Sequence, residues 1–546
     1  MATRALAEHV KAGLAAGAVV GVAVAAILAR LRARAEKNEG ARELIEREPV
    51  LKLGRLRLNA RNAFFAGLVG FALFATLNYC QYTGALPLRW YHNYDLLHYY
   101  VSAKYFDEVG YFDLLPALIA ADREDGEYCP GQVRQYLAQD ENDYHREPIR
   151  HALARADEVK KRFGQEEWKQ FVHDARHIQR APPTNLSCKL WRELLLDHGF
   201  NGTPTWVLIA RPFAELIPVE AIKVACYLDF VWLLAALIAV WWAFGREAFA
   251  FSWLFLMVSY SLRWPIITWA FLRYDWVAAM TIGVCMLRRD KHWAAGALFG
   301  YATLMRYFPV LWLFGIFAKA LHSLLNNVEI PWTRFWRRVP VRHWKVAGGF
   351  FGAVLILLSL SIAVDGVDVH AQSLHNITAH IEPHNLSSRR QGLVIPLVYR
   401  GETEQKLISD EKREMVAEIE PYVHLAALLL LIPLGLFISR TPDWYAAGLG
   451  VIPYFWLTTS SYYYYVLRLT AIVIHAADLS KRRNVVGLIL LLVIECFCNA
   501  SEHIKPGNRY FLISVMGILL AIYTFYMLLS LGAEWWRAHR AEQRES

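Results

Sequence analysis

Long apolar runs recur along this chain and alternate with stretches that are rich in charged residues. Two runs, 14–31 and 64–77, lie in the first part of the chain, and the second half is almost continuously apolar. Soluble proteins rarely carry so many runs near membrane length, so the pattern predicts a polytopic membrane protein. The further predicted spans are 219–244, 248–264, 267–287, 292–321, 346–364, 421–439, 443–458, 462–477, 484–499 and 510–532, with 205–217 as a re-entrant segment.

The basic residues predict which loops face the cytoplasm. Cytoplasmic loops of membrane proteins carry an excess of Lys and Arg. If residue 80 lies outside, alternation of the spans places six basic clusters inside, and all six agree with this rule: Arg246, 288–291, 334–345, Arg440, 481–483 and the Arg-rich C-terminus. Two long loops, 80–205 and 365–420, then share the extracytoplasmic side.

These spans predict an all-α fold with about 11 to 13 transmembrane helices and large extracytoplasmic loops. We expect the first apolar run to be an uncleaved helix, because no small-residue cleavage site follows it. The predicted segments are an N-terminal helix with a basic cytoplasmic stretch (1–61), a transmembrane helix (62–79), a loop subdomain (80–205), a transmembrane bundle (206–364), a second loop (365–420), and a C-terminal bundle with a basic tail (421–546).

Composition supports the membrane class and narrows the partners. Hydrophobic residues make up 56% of the 546 residues, and mean hydropathy is +0.23 despite 20% charged residues. The net charge of +9 does not indicate nucleic acid, because Lys and Arg cluster beside apolar segments. Among seven cysteines, Cys129 and Cys188 share the first long loop. They could form a disulfide if this loop lies outside, and the sequence alone does not decide between the bonded and the free form.

The first long loop opens with RWYHNYDLLHYYVSAKYFDEVGYFDLLPA, residues 89–117. As a helix over 95–109, it places Leu96, Tyr99, Tyr100, Ala103 and Phe106 on one face and Asp95, His98 and Ser102 on another, and Gly110 suits its end. Such a helix would lie at the membrane interface, with Asp95 turned toward water or a lipid-borne substrate. The alternative is an amphipathic linker with a solvated Asp.

The second loop concentrates histidine and arginine. It contains His370, His375, His380 and His384, followed by the pair Arg389 and Arg390. The histidine spacings of four to five residues match no standard zinc motif. The arginine pair is more typical of an anion site, because planar guanidinium groups hold phosphate bidentately. A basic interfacial loop touching lipid headgroups is the other interpretation.

Arg306 lies inside the apolar stretch GALFGYATLMRYFPVLWLFGIF. A charge at that depth costs about 2.5–3.5 kcal/mol on insertion scales, so it should face a polar cavity or mark the tip of a hairpin. The stretch 292–321 is too long for one straight helix, and Pro309 follows the charge. We therefore expect two helices or a hairpin, broken there. An arginine snorkelling at a helix end is the alternative.

Together these features resemble a known family of membrane enzymes. The motifs are the D-x-x-x-Y-Y-x-x-A-K-Y-F helix at Asp95, the Gly-rich helix GALFGYATLMRYFP, and H-N-L-S-S-R-R-Q-G in the second loop. Over roughly 60–480 the chain resembles the GT-C-fold glycosyltransferases that use polyprenyl-phosphate sugars, in particular the polyprenol-phosphate-mannose mannosyltransferase group. It departs in having Arg306 where many relatives have Lys, and in the length of its first loop.

The resemblance implies a multi-pass protein of the inner or plasma membrane with an extracytoplasmic active site. It would move a sugar from a polyprenyl-phosphate donor to a lipid, glycan or protein acceptor, with Asp95 as general base. The candidate substrate-binding residues are His98, Arg306, His384, Asn385, Arg389 and Arg390. Arginines would stabilise the leaving phosphate, and a monophosphate donor needs no metal clamp, so no metal or cofactor is expected. The alternatives are a transporter or lipid flippase and a non-enzymatic envelope scaffold.

Overall fold

The described part of the chain is predominantly helical and contains three short two-stranded antiparallel sheets. The computed structural model describes residues 2–35, 49–53, 56–82, 91–139, 144–180, 186–263, 270–387, 389–401, 410–504 and 508–545. Two long helices flank the first hairpin, with bounds α1 Ala2–Ala35, β1 Pro49–Leu53, β2 Leu56–Asn59 and α2 Ala60–Tyr79. The Asn59 side chain accepts a hydrogen bond from the Asn62 N–H and so caps α2.

The first long loop folds into a helical subdomain with one antiparallel hairpin. Its elements are α3 Asn93–Lys104, α4 Phe106–Val109, α5 Leu114–Glu124, β3 Gln135–Gln139, β4 Tyr144–Pro148, α6 Ile149–Lys160, α7 Gln165–Arg180 and α8 Cys188–Leu195. Trp168, Phe171 and Ile178 are buried along one face of α7, at the spacing expected of an amphipathic helix. Cys129 and Cys188 form a disulfide that ties α8 to the segment after α5.

The first bundle region contains both long and short helices. They are α9 Pro204–Leu216, α10 Ile222–Phe244, α11 Arg246–Val258, α12 Asp275–Arg288, α13 His292–Arg306, α14 Phe314–Asn326 and α15 Val341–Asp365. As the sequence predicted, the stretch 292–321 is broken: α13 ends at Arg306, and a 3₁₀ segment, Phe308–Leu313, separates it from α14. Tyr307 has a φ of +54°, a left-handed conformation that is uncommon for a non-glycine residue and marks the break.

The helices α13 and α15 pack with their backbones in direct contact, because the residues at the contact are glycines. A Cβ atom on Gly296 of α13 would lie 2.0 Å from the Val346 carbonyl oxygen of α15, and one on Gly349 would lie 2.1 Å from the Trp293 oxygen. Gly300, one turn along α13, has the Phe350 oxygen 2.7 Å from its added Cβ position. Small residues at this spacing let membrane helices pack closely, which fixes the helix that ends at Arg306.

The second loop and the C-terminal bundle complete the chain. Their elements are α16 Val367–Ile381, β5 Arg390–Gln391, α17 Val394–Leu397, α18 Asp410–Ile438, α19 Asp443–Gly448, α20 Val451–Leu457, β6 Ser460–Ser461, α21 Arg468–Ala476, α22 Arg482–Ile504 and α23 Arg509–Glu545. The short strand β5 pairs with β6, so the middle of the second loop is joined to the polar break between α20 and α21.

Eight helices in the described part of the chain are long and apolar enough to cross a membrane. They are His9–Leu31, Ala60–Tyr79, Val219–Phe244, Phe308–Asn326, Val341–Asp365, Glu411–Ile438, Arg482–Ile504 and Arg509–Arg544. This confirms a helical protein with membrane-length apolar helices. The other predicted spans correspond to shorter helices, such as α12 and α21, that are almost wholly buried among their neighbours. Their apolar side chains face protein, which hydropathy cannot distinguish from lipid.

The two long loops contact each other. Asn376 of α16 is buried, and its side-chain amide donates to the Phe200 carbonyl oxygen at 2.9 Å. Its Oδ1 accepts from the Gln139 amide and from the Tyr144 hydroxyl, on either side of the β3–β4 hairpin. These contacts require both loops to lie at the same end of the bundle.

Candidate functional site

A cavity of about 440 Å³ lies where the second loop meets the helix bundle. Its walls come from the start of α9, the ends of α13 and α16, the strand β5, one face of α18, and the segment between α20 and α21. The volume falls within the range of small-molecule binding sites. The ionisable or charged groups that line it, tyrosines aside, are Arg306, His380, Glu382, Arg390, Glu420 and His424.

Arg306 reaches the cavity because α13 ends there. It is buried, and its guanidinium carbon lies 5.4 Å from the ring centroid of Tyr99, within cation–π range. Its buried Nε has no hydrogen-bond partner among the described residues. The Tyr99 hydroxyl donates to Asn201 Oδ1, and Asn201 also lines the cavity. The helix break thus directs a cation into the cavity and leaves part of its donor capacity unused.

Arg390 also lines the cavity, but Arg389 does not. Neighbouring residues of an extended segment point to opposite faces, and here Arg390 is buried while Arg389 is exposed. Arg390 Nη2 donates to the His380 carbonyl oxygen at 2.7 Å. Burial lowers the pKa of Arg390, but a guanidinium starts so high that it stays charged in proteins. The structure therefore brings only one of the two predicted loop arginines to Arg306.

His380 and its neighbours join the cavity to the first loop. The rings of His380 and His198 meet edge to face at 4.8 Å. Burial lowers the pKa of His380 well below its ordinary value, and the charge of Arg390 lowers it further, so the imidazole is neutral. Asp197 accepts a hydrogen bond from the Tyr94 hydroxyl at 2.6 Å. Burial would raise the pKa of Asp197, but hydrogen bonding from His198 and the charge of His98 hold it below its ordinary value.

Glu420 of α18 supplies a carboxylate to the same cavity. Its Oε1 accepts a hydrogen bond from Thr459 Oγ1 at 3.1 Å, and His424, one helical turn along, has Nε2 3.9 Å from the same oxygen. Thr459 belongs to the polar break between α20 and α21. No Lys or Arg among the described residues forms an ion pair with Glu420, so the carboxylate and the two arginines line the cavity as separate groups.

Asp95 lies beside the cavity and not in its lining. Its Oδ1 is 3.0 Å from Arg273 Nη2, and both side chains are largely buried. The guanidinium of Arg273 lies 4.7 Å from the Tyr463 ring centroid, and Tyr463 in turn packs on Tyr464, which lines the cavity. Asp95 is thus connected to the cavity through Arg273 and two tyrosines.

The prediction that the polar side of the Asp95 helix faces water is wrong. Asp95, His98 and Ser102 are all buried, because α3 lies between the loop subdomain and the bundle and is covered on both sides. The helix also begins earlier, at Asn93, where His92 Nδ1 accepts from the Asp95 N–H, and α3 itself ends at Lys104. The ring of His98 stacks on Tyr94 at 5.2 Å, so it contributes to the Asp197 cluster.

The remaining predicted site residues lie away from the cavity wall or outside the description. Asn385 uses its side-chain amide to donate to the Ala379 carbonyl oxygen at 2.7 Å, which closes the turn after α16. The His384 side chain and Ser388 lie outside the described residues. Among the His, Cys, Asp and Glu side chains of the described ranges, no group of three or more could hold a metal ion.

Sequence reasoning missed Arg273, Glu420, His424 and Tyr464. Arg273 carried a usable signal, since it lies within an apolar stretch beside Asp275, and intramembrane charges mark functional sites.

The chain matches no protein-family model, no curated protein and no solved structure. Its function must therefore be argued from the cavity and its neighbourhood.

Proposed function

We propose that the protein is an integral membrane glycosyltransferase of the GT-C type that moves a sugar from a polyprenyl-phosphate donor to an extracytoplasmic acceptor. The observation that supports this most is that Arg306 and Arg390, from distant parts of the chain, line one cavity. A lipid monophosphate leaves as an anion, and two arginines at one site stabilise charge as it develops there. Arg306 comes to the cavity at the end of α13, and its guanidinium lies over the Tyr99 ring and not in an ion pair among the described residues.

The acceptor hydroxyl must lose a proton as it attacks the anomeric carbon, and a nearby carboxylate serves this need. We propose Asp95 for this role, as the family resemblance implies. Its contact with Arg273, and through it with Tyr463 and Tyr464, supports a place next to the donor cavity. The acceptor then approaches Asp95 from the side of the cavity that Tyr464 lines.

We predict that Arg390→Ala weakens binding of a polyprenyl-phosphate sugar by about 1.5–3 kcal/mol, roughly 10- to 150-fold, because it removes a charge-assisted contact to phosphate. Arg389→Ala is the matched control and should cost less than threefold, since Arg389 is exposed and does not line the cavity. Arg390→Lys should rescue only in part, because Lys lacks the planar fork. The measurement is donor binding by purified protein in detergent.

Equal losses for the two arginines would contradict the assignment of phosphate to the cavity. Tight donor binding by a wild-type protein that transfers no sugar to any lipid, glycan or peptide acceptor would instead favour a lipid transporter.

We further predict that the loop subdomain and α16 both lie on the extracytoplasmic side of the membrane. The Cys129–Cys188 disulfide supports this placement, because disulfides persist in oxidising compartments. Gln165→Cys and His375→Cys, at exposed positions of the two loops, should react with a membrane-impermeant thiol reagent in intact cells. Arg337→Cys, exposed in the predicted cytoplasmic cluster 334–345, should react only after permeabilisation. The reverse pattern at either loop position would overturn the topology.

A further inference from the structure

The cavity lining includes two carboxylates, the exposed Glu382 and the half-buried Glu420, and a phosphate ligand needs neither. A phosphate held by Arg306 and Arg390 is repelled by Glu420, so the carboxylate weakens anion binding unless it contacts another part of the ligand. No Lys or Arg within the described ranges forms an ion pair with Glu420, so it does not serve to neutralise either arginine.

The geometry of Glu420 fits a neutral ligand rich in hydroxyl groups. Thr459 occupies one lone pair of Oε1, and Oε2 accepts no hydrogen bond from the described residues. A carboxylate offers about four acceptor positions, so most of them stay available on the cavity side. His424 adds a ring nitrogen that is able to donate or accept. A ring hydroxyl that donates to a carboxylate makes one of the stronger hydrogen bonds available to an uncharged group.

The other walls of the cavity match the same chemistry. Thr458, Ser460 and Thr378 supply short hydroxyl side chains, and Tyr464 and Phe308 supply aromatic surface. The rings of Phe308 and Tyr464 lie 5.1 Å apart and form one continuous aromatic wall. Hydroxyl groups and aromatic faces together suit a sugar ring, which has polar edges and apolar C–H faces.

We infer that Glu420, held by Thr459 and assisted by His424, binds the hydroxyl groups of the sugar that the lipid phosphate carries. The inference rests on the proposed donor class, and it divides the cavity into a phosphate part, with Arg306 and Arg390, and a sugar part around Glu420. It makes Glu420 a residue that selects the glycosylated lipid over the bare lipid phosphate.

The test compares binding of bare polyprenyl phosphate with binding of its mannosyl, glucosyl and galactosyl derivatives by the full-length protein in detergent. Wild type should bind at least one glycosylated probe more tightly than the bare lipid. Glu420→Gln should reduce that preference by about tenfold to a hundredfold, the range for one charge-assisted hydrogen bond. Binding of the bare lipid should be unchanged or tighter, because a negative charge has been removed. Glu420→Asp, which keeps the charge, should retain part of the preference.

Two further variants make the result specific. Glu418→Gln changes an exposed carboxylate two residues away that does not line the cavity, and it should leave both affinities unchanged. Arg390→Ala should lower the affinities for the bare and glycosylated lipids by the same factor. Thermal unfolding of each variant identifies any that fail to fold, and Glu420→Asp then carries the test.

The outcomes separate this inference from the proposed function. An unchanged preference in Glu420→Gln, an equal loss for both kinds of lipid, or a wild type without any preference would overturn the sugar assignment alone. A wild type that binds neither bare nor glycosylated polyprenyl phosphate would overturn the donor class, and the sugar assignment with it.

Discussion

Asp95→Asn is expected to lower the rate of sugar transfer by about 10²- to 10⁴-fold while donor binding persists. Asn keeps the shape of the side chain and is able to accept a hydrogen bond from Arg273, but it cannot take the proton of the acceptor hydroxyl. Donor binding should persist because Arg306 and Arg390, which we propose as the phosphate-binding residues, are untouched. The measurement is transfer of labelled sugar from a polyprenyl phosphate by purified protein, beside a donor-binding assay on the same variants.

A control is needed because Asp95 also belongs to a buried ion pair. Removing one partner of such a pair costs about 3–5 kcal/mol and leaves an uncompensated charge. Arg273→Gln breaks the same pair but keeps the carboxylate, so a catalytic Asp95 predicts that this variant retains more transfer than Asp95→Asn. A purely structural Asp95 predicts equal losses of activity and of thermal stability for the two variants.

Asp107→Asn is the second control, on the same stretch of chain. The Asp107 side chain is 71% exposed and pairs with Arg211 at the surface, so its loss should leave most activity. Asp113 is unsuitable, because it is buried and bound by both Arg155 and Arg162. An active Asp95→Asn enzyme would remove the general-base assignment, and loss of donor binding in step with turnover would make Asp95 a substrate-positioning residue.

The sequence predicted long helices with an exposed apolar surface more accurately than it predicted short helices that are buried among other helices. Long runs such as 346–364 correspond to a membrane-length helix, α15, because nothing interrupts the hydrophobic pattern. The runs 248–264 and 443–458 instead contain short helices, 13 residues in α11 and two pieces in the second run. Hydropathy measures the side chains and not their surroundings, so it cannot tell these classes apart.

Two cations of the candidate site were predictable, and the carboxylate of Glu420 was not. Arg306 is conspicuous as a charge within an apolar stretch, and Arg390 as part of an arginine pair before an apolar segment. Glu420 lies among several acidic residues at the start of α18: Glu411, Glu414, Glu418 and Glu420. Which of them faces the cavity depends on how the helix is rotated against β6, and no local pattern determines that rotation.

The burial of the Asp95 helix was missed for a related reason. The alternation of polar and apolar residues in α3 suggested one wet face, but Asp95 and His98 find their polar partners in distant segments. Arg273 is supplied by the segment before α12 and Asp197 by the end of the loop subdomain. A polar face covered by polar partners has the same sequence pattern as a polar face in water.

Arg468→Met is expected to lower the free energy of unfolding by about 3–5 kcal/mol, because it leaves Glu495 as an unpaired buried charge. Arg468 Nη2 lies 2.7 Å from Glu495 Oε1, and both side chains are fully buried. The measurement is thermal or denaturant unfolding in detergent. The surface pair Arg440–Glu542 provides the matched control, since both partners are substantially exposed and Arg440→Met should cost less than about 1 kcal/mol.

Arg468→Met should also disturb the cavity, because Arg468 stabilises the 3₁₀ turn Tyr462–Leu467, which contains the cavity-lining Tyr464. Arg468 Nε donates to the Tyr465 carbonyl oxygen at 2.9 Å. Its Nη2 donates to Ser261 Oγ, which donates in turn to the Tyr462 carbonyl oxygen at 2.9 Å. Both acceptors flank Tyr463 and Tyr464, so we expect donor binding to weaken in Arg468→Met even under conditions where the protein stays folded.

The double variant Arg468→Met/Glu495→Gln separates charge from packing. Gln removes the unpaired charge but keeps an oxygen to accept the Tyr260 N–H, which Glu495 Oε2 accepts at 2.7 Å. The double variant should therefore be more stable than Arg468→Met alone, a coupling that independent sites do not show. Its donor binding should stay weak, because the hydrogen bond to Tyr465 is still missing. A loss in Arg468→Met no greater than that in Arg440→Met would show that the buried pair does not hold this part of the bundle together.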